Sequence, residues 1–120
     1  MTDRELLELA AKAAGIELKP MEMMNVTEQG DDRFIGYMAD PAQCPRGWFD
    51  PLRDDGDALR LAMRLKMALD LTQLLEDTIF VGAFASRVVQ EVTEKVGDDP
   101  AATTRRAIVR AAAEIGRAMT

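Results

Sequence analysis

Four aspartates, Asp50, Asp54, Asp55 and Asp57, crowd one acidic turn, and clustered carboxylates are the hard oxygen ligands that magnesium and calcium prefer. A cation held there would point to a metal-dependent hydrolase. The spacing does not match a calcium loop, which needs a liganding residue well beyond the glycine, here Gly56. Helix capping and turn chemistry account for all four carboxylates. Asp54 is placed to cap a helix, and Asp57 lies in its first turn, where a negative charge faces the positive helix end. No metal ligand and no cofactor are therefore assigned.

A second group with chemical potential is Cys44, the single cysteine, between Gln43 and Pro45. Arg46 nearby could lower its pKa. A cysteine nucleophile also needs a base, and the chain contains no histidine. That absence removes the usual general base, the commonest transition-metal ligand and the Ser-His and Cys-His pairs. No Walker loop, dinucleotide fingerprint, serine elbow or CxxC pair occurs. No catalytic residue is assigned, and the chain reads as a non-enzyme.

Two surfaces could instead bind a partner. Trp48 and Phe49 precede the acidic turn, and aromatics of this kind anchor interfaces. They could equally plug a core, and core packing is favoured for at least one of them. Arg106, Arg110 and Arg117 fall within about 40° of one another on a helix at about 100° per residue. Such a basic stripe could meet phosphates or an acidic protein, although a solvated charged face is the ordinary explanation. Arg60 and Arg64 read similarly, or as partners of nearby acidic residues.

The elements that must position these groups start at recognisable caps. Thr2 and Glu5 have capping-box spacing, with Leu6, Leu7, Leu9, Ala10, Ala13 and Ala14 at helical intervals and Gly15 as the stop. Strands are expected at Ile16-Glu17-Leu18, Met21 to Val26 and Arg33 to Met38, the last two joined by a turn at Gln29-Gly30-Asp31-Asp32. A proline-rich loop runs from Asp40 to Pro51. Asp54 opens a second helix, to about Met67, so apolar that it is expected at the centre of the domain. Leu69-Asp70-Leu71 reads as a short strand, Glu76-Asp77 as a turn and Thr78 to Phe84 as a strand inside a sheet. Arg87 to Thr93 fits a strand better than a helix because of its β-branched residues. Asp99 caps a last helix, with Pro100 in its first position and its end near Arg117. The helix-then-strand units of the two halves echo each other loosely. The expected fold is one α+β domain over residues 1–120, with three helices layered around a small sheet of about four to five strands, a helix-sheet-helix sandwich.

Composition sets the outer bounds. The 120 residues carry a net charge of -6, 48% apolar and 30% charged residues, as a soluble globular chain does. Acidity disfavours broad contact with nucleic acid, and the carboxylates are too scattered for mimicry of it. No apolar run is long enough for a membrane span, the start lacks a signal-peptide pattern, and one cysteine suits a reducing cytoplasm.

The block Trp48-Phe49-Asp50-Pro51-Leu52, followed by Asp54-Asp55-Gly56-Asp57-Ala58-Leu59-Arg60-Leu61-Ala62, resembles a block of the phage ABA sandwich domain family. The opening Asp3 to Gly15 and the segment from Gly97-Asp98-Asp99-Pro100 to Ile115 resemble it too, so the likeness spans most of the chain. The segment Asp40 to Arg46 looks longer, and Thr78 to Glu94 more apolar, than the family pattern. The resemblance implies a phage or prophage product in a bacterial host cytoplasm and brings no functional residues. The expected function is a non-catalytic accessory protein that binds a host or phage protein, with Trp48, Phe49, Arg106, Arg110 and Arg117 as the candidate surface. The alternative is a nucleic-acid-binding regulator using the basic face of the last helix. A homodimer through a sheet edge or the Ala-rich last helix is also compatible with the pattern.

Overall fold

A computed structural model describes residues 2–19, 25–26, 33–34, 37–45, 47–70, 78–83, 90–95 and 98–119. The first helix, α1 (Asp3–Ala14), begins with a reciprocal capping box: Glu5 N donates to Thr2 Oγ1 at 3.2 Å, and Thr2 N donates to Glu5 Oε2 at 3.2 Å. Gly15, at φ 70°, turns the chain out of the helix, and Ile16 N reaches back to the Ala11 carbonyl at 2.9 Å. This left-handed exit is cheap only for glycine.

Short strands follow: β1 (Leu18–Lys19), β2 (Asn25–Val26), β3 (Arg33–Phe34), β4 (Tyr37–Ala39) and β5 (Trp48–Phe49). Strand β4 lies between β1 and β5, antiparallel to both, with Leu18 opposite Ala39 and Met38 opposite Trp48. The pair β2–β3 stands as a separate two-stranded ribbon, Asn25 opposite Phe34. The expected proline-rich loop is thus interrupted by β5. The turn expected at Gln29 to Asp32 lies outside the described residues.

Helix α2 (Asp55–Arg64) is capped by Asp54, whose carboxylate accepts from Asp57 N at 2.8 Å. It stops short of the expected Met67 because Lys66 takes a left-handed φ of 54° and Met67 already belongs to a strand. That strand, β6 (Met67–Asp70), pairs with β7 (Thr78–Ala83), which pairs in turn with β8 (Gln90–Lys95), all antiparallel. The most apolar strand, β7, is the inner one, with Leu69 opposite Val81 and Phe80 opposite Thr93. The turn at Glu76-Asp77 and residues 87–89 of the ambiguous segment lie outside the described residues. Helix α3 (Pro100–Ala118) starts where expected, with Asp99 accepting from Ala102 N at 3.1 Å and Pro100 in the first turn.

The helix-sheet-helix sandwich is not what forms. No sheet of four to five strands is present among the described residues. The strands divide into two three-stranded sheets and one ribbon, and helical residues outnumber strand residues. The reason lies in α3. Its consecutive buried residues Ala107, Ile108 and Val109, then Ala111, Ala112 and Ala113, cover most of the circumference of its second half. A helix with so wide an apolar face needs partners on several sides, and α3 meets α1, α2, β7 and β8, while the strip of Arg106, Arg110 and Arg117 stays exposed. The central position expected for α2 belongs to α3. Helix α2 is buried along one stripe only, Ala58, Leu61 and Ala62, while Leu59 and Met63 face outward.

The contact of α1 with α3 is the most extensive between any two helices. It is built from Leu6, Leu7, Ala10, Ala11 and Ala14 on one side and the alanines of α3 on the other. Small side chains let the axes approach closely, and Gly116 lies directly against the Leu9 backbone. A Cβ there would lie 2.8 Å from the Leu9 carbonyl carbon and closer still to its oxygen. Arg105 fastens α3 to the start of α2: its Nε donates to the Leu52 carbonyl at 3.0 Å and its Nη1 pairs with Asp55 at 2.5 Å.

Candidate functional site

Along α2, one face carries Asp57, Arg60, Leu61 and Arg64, and this face closes one side of a cleft. Opposite stand Gln43 and Cys44 from the turn after β4, Phe49 from β5 and Ile16 from the end of α1; Met63 stands at the rim. The cleft measures about 340 Å³.

Local hydrogen bonds explain why the chain makes this hollow. The 40–45 turn folds on itself: Gln43 N and Cys44 N both donate to the Asp40 carbonyl at 2.8 Å, and Ala42 N donates to Asp40 Oδ1 at 2.9 Å. Gln43 then reaches across the molecule. Its Nε2 donates to the Gly15 carbonyl at 2.9 Å, and its Oε1 accepts from Glu17 N at 3.1 Å. One side-chain amide thereby behaves as a neighbouring strand would, holding the turn against the exit of α1.

Asp57 sits at the base of the helix face, 5% exposed. Its Oδ2 accepts from Asp50 N at 3.0 Å and its Oδ1 from Arg60 Nη2 at 2.6 Å. A buried carboxylate is tolerable only when paired and hydrogen-bonded, and Asp57 is both. Arg60 also lies 3.7 Å from Asp54. Arg64, one turn further on, is exposed and has no carboxylate at ion-pair distance among the described residues.

The four aspartates of the acidic turn have different tasks, and Asp50 serves through its backbone, its amide donating to Asp57 and its carbonyl accepting from Asp54 N. Asp54 caps α2, Asp55 binds Arg105, and Asp57 is the buried brace. Among the described residues, no group of three or more acidic or cysteine side chains converges in a way that could hold a metal ion.

Cys44 is buried, 5% exposed, and its thiol is pushed above the ordinary thiol range. Burial is the main cause; the Asp57 and Asp40 carboxylates add to it, and the Arg64 and Arg60 guanidiniums oppose it. The Arg46 considered beside Cys44 lies outside the described residues. The folded chain therefore holds the thiol proton more tightly than the unfolded chain. This contribution to stability is fully present below the unfolded thiol's pKa and is lost as pH rises through the folded value. Urea unfolding at about pH 7 and about pH 9.5, on either side of the model-peptide thiol pKa, should show a larger loss of stability for the native chain than for Cys44→Ala. Equal losses would refute this account.

The residues singled out as a candidate surface do not form one patch. Phe49 is a core side chain, 2% exposed, lining the cleft from inside, while its neighbour Trp48 is half-buried. On α3, Arg106 pairs with Asp3 at 3.3 Å and Arg117 with Glu114 at 3.3 Å. Arg110 is exposed and engaged as well. The stripe is thus partly neutralised by its own neighbours.

Neither a family model, nor a curated protein, nor a solved structure matches the chain.

Among the described residues no helix is long and apolar enough to cross a membrane. The groups that build the cleft were only partly readable beforehand. The spacing of Asp54, Asp57 and Arg60 carries a local signal, since residues three apart meet on a helix. Gln43 carries none, because its two partners lie 28 and 26 residues away.

Proposed function

We propose that this chain is a phage or prophage accessory protein of the bacterial cytoplasm that acts, without catalysis, by binding another protein. The observation that carries the reading is the outer face of α2. Leu59 is 52% exposed and Met63 68% exposed, and their spacing of four residues places them on one face of the helix. Large apolar side chains that share an exposed face are common at protein contacts, and methionine adapts to varied partners. Asp55, one turn before them and also exposed, gives the strip a charged end. The phage assignment rests on the resemblance of the Trp48 to Ala62 block, whose second part forms the start of α2.

The test is affinity capture from a host lysate with the native chain and with Leu59→Glu/Met63→Glu, each with and without nuclease. The expected result is one stoichiometric protein that survives nuclease and falls at least tenfold with the double variant, whose thermal unfolding is unchanged. Equal recovery by both forms would overturn the reading. Recovery of nucleic acid alone, lost with Arg106→Glu/Arg110→Glu, would replace it with binding through the basic stripe.

A further inference from the structure

The cleft beside α2 has properties that a protein-binding helix face does not require. At about 340 Å³ it falls within the size of small-molecule sites, about 300–1,000 Å³. Its walls are largely apolar, with Ile16, Phe49, Leu61 and Met63 contributing. Two guanidiniums line it, and they are not equivalent. Arg60 is committed to Asp57 at 2.6 Å. Arg64 is exposed and without a carboxylate at ion-pair distance among the described residues, yet its charge is felt at the Cys44 thiol inside the cleft. Asp57 and Arg60 pair with each other, so Arg64 is the remaining charged group of the lining, beside an apolar hollow.

We propose that the cleft binds a small amphiphilic monoanion, a carboxylate with a medium-length apolar body, with its head on Arg64 and its body against Phe49 and Leu61. A planar guanidinium takes a carboxylate in a two-point hydrogen bond, and the apolar body removes the pocket wall from water. The cleft shares Met63 with the Leu59 face but not Leu59 or Arg64, so Leu59→Glu alone tests the face and Arg64→Gln alone tests the cleft.

The chain carries its own reporters, because Trp48 is its only tryptophan and Cys44 its only cysteine. Octanoate, octanol and acetate serve as probes, followed by Trp48 fluorescence, by calorimetry and by the rate of Cys44 alkylation with iodoacetamide. Octanoate should bind saturably and slow alkylation at least fivefold, and acetate should do neither. Arg64→Gln should weaken octanoate about tenfold or more, the worth of a charge-assisted hydrogen bond, and leave octanol unchanged. Arg110→Gln, the same charge change away from the cleft, should leave octanoate binding intact. Absence of saturable octanoate binding, or equal losses in Arg64→Gln and Arg110→Gln, would overturn the proposal.

Discussion

Gly116→Ala lowers the stability of the chain by about 2 kcal/mol net, seen as a drop in the urea midpoint. Two effects oppose each other. Alanine is the better helix former by about 1 kcal/mol. The added methyl, however, enters the contact between α3 and α1, with a backbone carbon of Leu9 only 2.8 Å away and its oxygen nearer. Overpacking of this kind costs about 1–3 kcal/mol and sometimes more, and the upper end applies because a helix backbone cannot rotate aside as a side chain can. Gly116→Val should be worse again. The obstacle is the Leu9 carbonyl, so Leu9→Ala should not rescue either variant. An unchanged midpoint in Gly116→Ala, or rescue by Leu9→Ala, would show that the helices are not held this close.

Asp57→Ala should cost about 2–3 kcal/mol by the same measurement, from two losses at one position. The Asp50 amide loses its acceptor, and a partly buried donor left unsatisfied costs about 1–3 kcal/mol. Arg60 loses its partner as well, a smaller effect because that side chain is 46% exposed and water can replace the carboxylate. Asp57→Asn keeps an oxygen for one of the two donors and should cost roughly half as much. It should also quicken alkylation of Cys44, because the Asp57 charge helps to hold that thiol protonated. Equal stability of Asp57→Ala and the native chain would remove Asp57 from its bracing role.

How much of this was readable from residue order depends on the range of the interaction. The three helix starts, at Thr2, Asp54 and Asp99, are decided by contacts within three residues, and all three caps form as read. Gly15 ends α1 for an equally local reason. The sheet is a different matter. Runs such as Leu18–Lys19 and Trp48–Phe49 show extended character, but nothing within them says that both join β4 or that β6, β7 and β8 form a sheet apart. Choice of pairing partner is set by the whole fold, and two-residue strands carry too little pattern to specify register. The cleft divides in the same way. Asp57 and Arg60 share a helix turn, whereas Cys44, Phe49 and Ile16 arrive from three other segments. Gly116 was the least legible residue of all. A glycine inside a helix looks like a weakness until the partner backbone is seen beside it.

The joining of α1 to α3 also bears on how the chain is made. Helix α1 leaves the ribosome before α3, its main partner, which is encoded about a hundred residues later. A twelve-residue helix is marginal in water by itself. During synthesis its apolar stripe, Leu6, Leu7, Ala10, Ala11 and Ala14, therefore lacks its main native cover until α3 has emerged. The contact that joins the two helices can close only after α3 has emerged.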